Sequence, residues 1–242
     1  MRRLLFALPL LLLLPGMAAA QSVNIDLGGA GQPGTTARLV QLTALIGLLS
    51  LAPSLLVMMT AFARIVIVLA LLRTAIGAPS IPPNPVLIGL ALFLTLFVME
   101  PALQASWTEG IQPMTEGRIG EIQGIQAAAE PFRRFMVAQV RDADMALFLD
   151  LAGLPPATAN DAPWRVLTPA FMVSELRRAF EIGFLILLPF LVIDLVAASL
   201  LMSLGMMMLP PTVVAMPFKL AFFVLVDGWR LVAGSLVQGF VP

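Results

Sequence analysis

The stretch "SLGMMMLPPTVVAMPFKL", Ser203–Leu220, sets three consecutive methionines between a glycine and a proline pair, inside one of the most apolar parts of the chain. Gly205 and Pro210-Pro211 each stop a helix, which predicts two helices joined by a short bend that carries Met206, Met207 and Met208. Methionine is unbranched and polarisable and repacks around changing shapes. Several copies of such a bend converging on an axis would form a compliant apolar constriction, closed to ions by dewetting yet able to yield to a passing chain. The run also reads as plain gap filling in a protein with 14 methionines.

Working outward, the 242 residues are 60% hydrophobic and 12% charged, with a mean hydropathy of +0.97. An ordinary soluble domain is apolar over about half its residues, so this chain is membrane-associated. Formal net charge is zero, and Lys219 is the one lysine among the basic residues, so no basic surface of the kind that holds nucleic acid is visible. There is no cysteine, histidine or tyrosine. That removes disulfides, thiol nucleophiles, histidine-based triads and the usual zinc ligands. No cofactor is expected.

Residues 1–20 read as a cleavable signal peptide: Arg2 and Arg3 precede an apolar run from Leu4 to Leu14, and Ala18, Ala19 and Ala20 offer a cleavage site. Residues 21–37 are Gly-rich and polar and read as a flexible leader. Residues 38–101 form an N-terminal group of hydrophobic helices, containing Pro53 and Arg64 and turning sharply at "GAPSIPPNP", Gly77–Pro85. Its last run, Val86 to Met99, is about fourteen residues long, short of the roughly twenty that a clean span needs.

Residues 102–181 form a polar middle region. Gly110, Gly117, Gly120 and Gly124 predict weak helix in its first part. From Glu130 to Leu151, Phe132, Phe135, Met136, Val140, Ala143, Leu147 and Leu151 recur at helical spacing, predicting one amphipathic helix with Arg133, Arg134, Arg141, Asp142 and Asp144 on a solvated face. Thr168 then reads as an N-cap with Pro169 at the first helical position. Residues 182–242 supply the C-terminal hydrophobic helices and the Met bend. The fold class is all-α, built of membrane-associated broken helices and helical hairpins.

These apolar segments carry flaws that lipid tolerates badly. Pro53, Arg64, Pro189, Asp194, Pro217, Lys219 and Asp227 all fall within them. A lone charge at the bilayer centre costs at least about 2.5–3.5 kcal/mol, and irregular backbone needs protein or water to cover it. The expected remedy is packing on other chains, where Arg64, Glu175, Asp194, Lys219 and Asp227 meet opposite charges, which predicts an oligomer. Against this, Arg177–Glu181, Glu175–Arg178 and Asp227–Arg230 stand at spacings that form ordinary pairs within one helix. Asp194 and Lys219 have no such local partner.

Two long segments carry a resemblance. "DLVAASLLMSLGMMMLPPTVVAMPFKLAFFVLVDGW", Asp194–Trp229, and "LLVMMTAFARIVIVLALLRTAIGAPSIPPNPVLIGLALFLTLFVMEP", Leu55–Pro101, resemble the two signature regions of the FliP family of flagellar type III export-gate proteins. "RRFMVAQVRDADMALFLDLAG" and "LTPAFMVSELRRAFEIGFLILLPFLVIDL" between them are also similar, so the resemblance covers about residues 38–242. It implies a non-enzymatic pore component that passes unfolded flagellar subunits, working as a homo-oligomer, a pentamer, with FliQ and FliR and other parts of the export apparatus and basal body. It implies a place at the bacterial inner membrane and on its periplasmic side. It also implies that Met206, Met207 and Met208 form a pore gasket, that Glu175 bears on subunit contacts and that Lys219 bears on gating.

One alternative follows from the resemblance and two from the residues. An injectisome homologue would share the motifs, although the signal peptide and long middle region favour the flagellar branch. A small-solute or proton-coupled transporter would share broken helices and charges within spans, but no inverted repeat is visible. An intramembrane enzyme would use Asp194 and Asp227 as an aspartyl pair, without any supporting motif. Nothing matches G-x-x-x-x-G-K-[ST], so nucleotide hydrolysis would belong to partners.

Overall fold

In a computed structural model of the chain, the described residues are 57–206 and 208–240 together with Val40, Leu42, Thr43, Ile46, Gly47, Ser50 and Ser54. The expected signal peptide, the leader, Pro53 and Met207 lie outside them. The chain divides into two units, Met1–Ser50 and Leu51–Pro242. The described residues of the first are helical, and the second holds the architecture that follows.

That architecture is all-α, with no strand among the described residues. Helix α1 spans Phe62–Ile76 and α2 Asn84–Ser106; a π-helical turn, Trp107–Ile111, runs on into a short α3, Gln112–Thr115. Helix α4 spans Glu121–Gln139 and α5 Asp142–Leu151. Helix α6 runs through Trp164–Ser203, α7 through Pro211–Leu225 and α8 through Gly228–Gln238.

Helix α1 is the centre. Ile65, Val68, Leu69, Leu72 and Ala75 are buried along one side and Phe62, Val66 and Ile67 are partly buried on the others, in a core with Leu87 and Ala91 of α2, Ala179 and Phe190 of α6, Phe223 of α7 and Leu236 of α8. A helix that is apolar on nearly every side needs partners on every side. It runs parallel to α6: Arg64 meets Glu175, and further along Leu71 lies against Gly183. A second core joins Met136 of α4, Met145 and Leu149 of α5, and Val166, Leu167, Ala170 and Phe171 of α6.

Several boundaries differ from the sequence-based expectation. The amphipathic stretch is two helices, broken where Val140 and Arg141 are extended. Buried Ser174 accepts the Arg141 N–H at 3.1 Å and donates to the Asp144 carboxylate at 2.6 Å. The elbow lets Met136 and Met145 face one core, which a straight rod of about 1.5 Å per residue would carry them past. Helix α6 begins at Trp164, after Pro163, so Thr168 and Pro169 lie within it. Burial of Val166 and Leu167 outweighs the N-cap preference of Thr168.

The glycine-rich part of the middle region is also more helical than expected, and the run after Val86 is longer. Glu100 and Pro101 do not end α2, and the helical stretch Asn84–Thr115 has 32 residues. It and Trp164–Ser203 are each long and apolar enough to cross a membrane, as is the α7–α8 pair taken together, which bends by 62°.

Candidate functional site

The bend at Gly205 forms as the residue types dictate. Helix α6 ends at Ser203, Gly205 takes φ +70°, which a side chain would oppose, and α7 opens with Pro210 as N-cap and Pro211 in the first turn. Met208 is fully exposed and Met206 is 44% exposed at the tip of the α6–α7 hairpin. Beneath the tip, an apolar groove of about 430 Å³ runs between the helices, lined by Val196, Leu200, Leu204, Val214 and Phe218 among others.

The base of the same hairpin is ionic. Lys219 of α7 donates to Asp194 Oδ2 of α6 at 2.6 Å and to the carbonyl of Ala75, near the end of α1, at 3.1 Å. Asp194 and Lys219 stand twelve and eleven residues from the ends of the methionine run on their own sides, counting to Met206 for Asp194 and to Met208 for Lys219. The pair therefore fastens both arms at similar depth below the tip. The lysine also satisfies one of the carbonyls that a helix C-terminus leaves free and places positive charge at the negative end of α1.

A second ionic centre lies at the other end of α1. The Arg64 guanidinium is buried, 2% exposed, and grips the fully buried Glu175 carboxylate with two nitrogens, Nε at 2.8 Å and Nη2. Its remaining donors go to Gln139 Oε1 at 3.0 Å and the Gly239 carbonyl at 3.2 Å, and its Cζ sits 3.7 Å above the centre of the Phe240 ring. Gln139 Oε1 accepts a further bond from Arg178 at 2.6 Å. Phe240 in turn stacks on Phe135 with ring centres 5.9 Å apart. One ion pair thus joins α1, α4, α6 and the segment after α8. A bidentate guanidinium with each of its three nitrogens engaged is the form in which buried charge is tolerated.

These contacts correct the reasoning from unsatisfied charge. Arg64, Glu175, Asp194 and Lys219 find their opposite charges inside the chain, across 111 and 25 residues of sequence, so partner chains are not needed to neutralise them. Glu175 faces Arg64 rather than Arg178, while Arg177–Glu181 forms as the spacing suggests, at 2.9 Å. Asp227 is separate from both centres, exposed and 3.9 Å from Arg230. Asp194 bonds Lys219 and Asp227 faces Arg230, so each aspartate is set against a base rather than against the other as an aspartyl pair would require. Nor is the polar face of the middle region merely solvated: Arg133 donates to the carbonyls of Asn160 and Ala162, and Arg134 forks onto Glu109 at 2.8 and 2.9 Å.

Reasoning from the sequence missed Gln139, Ser174, Gly239 and Phe240. Gln139 had one available signal, a polar residue one helical turn from Phe135 and Met136 on the apolar side. No group of histidine, cysteine or carboxylate side chains suited to a metal ion occurs among the described residues.

The profile described as the FliP family matches residues 45–236. The "Flagellar biosynthetic protein FliP" of Caulobacter vibrioides is 59% identical over 231 residues, covering 94% of this chain and 86% of that protein. Its namesake in Agrobacterium fabrum is 49% identical over 244 residues, 99% and 100% of the two chains, and that of Bacillus subtilis 46% over 217 residues, 89% and 98%.

Proposed function

The chain belongs to the FliP family, and on that premise we propose that it is a pore-forming component of the flagellar type III export apparatus. In this reading it is non-enzymatic. Copies of the chain, five in number, assemble with FliQ and FliR at the inner membrane and on its periplasmic side, and unfolded flagellar subunits thread the central passage. Residues 38–101, 102–181 and 182–242 serve as the N-terminal helical group, the periplasmic middle region and the gate-bearing hairpin. Energy comes from other components.

The observation that carries this reading is the position of the methionines. Apolar side chains at a hairpin tip gain nothing from water, yet Met208 is fully exposed and Met206 nearly half exposed. Brought together from several copies, Met206, Met207 and Met208 form a soft collar that excludes ions and deforms around a moving polypeptide. The ion pair between Lys219 and Asp194 joins the two arms of the hairpin beneath the collar. Replacing Met206, Met207 and Met208 together by alanine should raise ion conductance through the reconstituted assembly. Conductance equal to that of the unaltered assembly refutes the collar.

A further inference from the structure

The bend between α7 and α8 turns on a residue whose conformation no capping bond explains. Asp227 has φ +53° and ψ +49°, in the left-handed region, and its side chain makes no capping hydrogen bond to α8. Its carboxylate is 65% exposed and reaches only Arg230, at 3.9 Å. Residues with a β-carbon avoid this region, and aspartate and asparagine are the ones that enter it most readily. At this residue the helix axis turns by 62°.

On either side of Asp227 the arm is fastened to α1, by clamps of unequal quality. Beyond α8, the Gly239 carbonyl and the Phe240 ring are held by Arg64, which is 2% exposed and fully engaged with Glu175 and Gln139. On α7, Lys219 is held by the carbonyl of Ala75 and by Asp194, whose side chain is one-third exposed and whose second oxygen, the buried Oδ1, has no hydrogen-bond partner. The hold on α7 is the weaker one. Between Asp194 and Lys219 lies the Met bend.

We propose that Asp227 is the pivot about which α7 and the Met bend swing while α8 stays latched to Arg64, with the Lys219–Asp194 pair as the point of release. Asp227 then acts through its tolerance of left-handed backbone, not through its charge. The purpose of the motion rests on the gate reading above, but the motion itself does not.

The chain has no cysteine, so paired nitroxide labels can be placed without background. One pair, at exposed Val213 and Gln238, spans the pivot; another, at exposed Thr74 and Gln238, reports the latch. With about 1.5 Å of rise per residue, a 30° change at Asp227 alters the Val213–Gln238 separation by about 5 Å. Pulsed electron resonance on the full chain, diluted with unlabelled copies, reads both distances. Lys219→Met and, as a second route to the same release, Asp194→Asn should shift or broaden the first distribution by about that amount and leave the second sharp.

An unchanged first distribution in both variants, or movement of the second, overturns the pivot. Asp227→Asn should match the unaltered chain, because asparagine also enters the left-handed region, whereas Asp227→Ala should not. Asparagine behaving like alanine would make the charge the operative feature and defeat the proposal, as would alanine behaving like the native residue. Conductance of the assembled complex separates the two readings. If Lys219→Met moves α7 without altering conductance, the gate reading fails and the pivot stands.

Discussion

Replacing Glu175 by glutamine preserves the shape of the side chain and removes its charge. The native carboxylate accepts from both Nε and Nη2 of Arg64, in a setting where the acid is fully buried and the base is 2% exposed. A carboxamide offers one acceptor and one donor, so one of its two positions sets donor against donor. Arg64 keeps Gln139, the Gly239 carbonyl and the Phe240 ring but loses its counter-charge, with Arg178 close by through their shared bond to Gln139. Leaving a buried charge uncompensated costs about 3–5 kcal/mol, a large part of the roughly 5–15 kcal/mol that holds a domain together. In a chain of this size it lowers the melting temperature by about 6–20 °C. The assay is thermal unfolding in detergent, followed through Trp107, Trp164 and Trp229. The double variant Arg64→Met with Glu175→Met removes both charges and should be milder than Glu175→Gln alone. A single substitution costing under about 1 kcal/mol, or a double whose cost equals the sum of its singles, would show that the pair is not a coupled buried unit.

Lys219→Met should destabilise less, by about 1–3 kcal/mol, because the abandoned Asp194 already reaches solvent over a third of its side chain; a loss equal to that of Glu175→Gln in the same melts would contradict the ranking of the two clamps. Gly110→Ala should cost more than Gly183→Ala. A β-carbon at Gly110 falls 2.3 Å from the backbone nitrogen of Ala128, which cannot turn aside, whereas at Gly183 it meets the Leu71 side-chain tip at 2.2 Å, which can, and overpacking of this kind costs about 1–3 kcal/mol. Equal melting temperatures for the two variants would count against the close crossing of α4 and the π-helical turn. Arg134→Ala should change stability by under about 1 kcal/mol, since both members of its pair with Glu109 are about half exposed, and a larger drop would mean that the pair is shielded from solvent.

What could be read from the sequence and what could not divide along the range of the interactions. Gly205, Pro210 and Pro211 announce the bend because they act on their own backbone, and the helix ends there as they require. The same local reading failed at Thr168 and Pro169. Their capping pattern is genuine chemistry, but burial of Val166 and Leu167 carries the helix five residues further toward its start. The break at Val140 and Arg141 has no breaker residue at all; it depends on a serine thirty-three residues beyond Arg141. Charges were the easiest residues to single out and the hardest to pair. A sequence shows that Arg64 and Glu175 need partners, but only the parallel packing of α1 on α6 makes them partners of each other. The inference from unpaired charge to neighbouring chains therefore lost its first premise, and the exposed surface has to supply another.

That surface does so at Asp194. After Glu181, the last charge before the apolar stretch, α6 runs to its end at Ser203 with Phe184, Leu185, Val192, Leu195, Val196 and Leu200 exposed. This stretch is about 33 Å long at 1.5 Å per residue, close to the roughly 30 Å of a bilayer core. Asp194 lies near its middle, with a third of its side chain exposed and its Oδ1 buried within the chain without a hydrogen-bond partner. In hydrocarbon, such a carboxylate would meet the largest penalty for charge that a bilayer imposes, and its bond to Lys219 answers only one oxygen. The face around this one-third-exposed side chain is therefore expected to lie against protein rather than hydrocarbon. A photo-reactive residue at Leu195 or Val196 should then crosslink to a protein chain rather than to lipid in the assembled complex. Crosslinks to lipid at both positions, in a complex that still conducts, would remove this argument for partner chains.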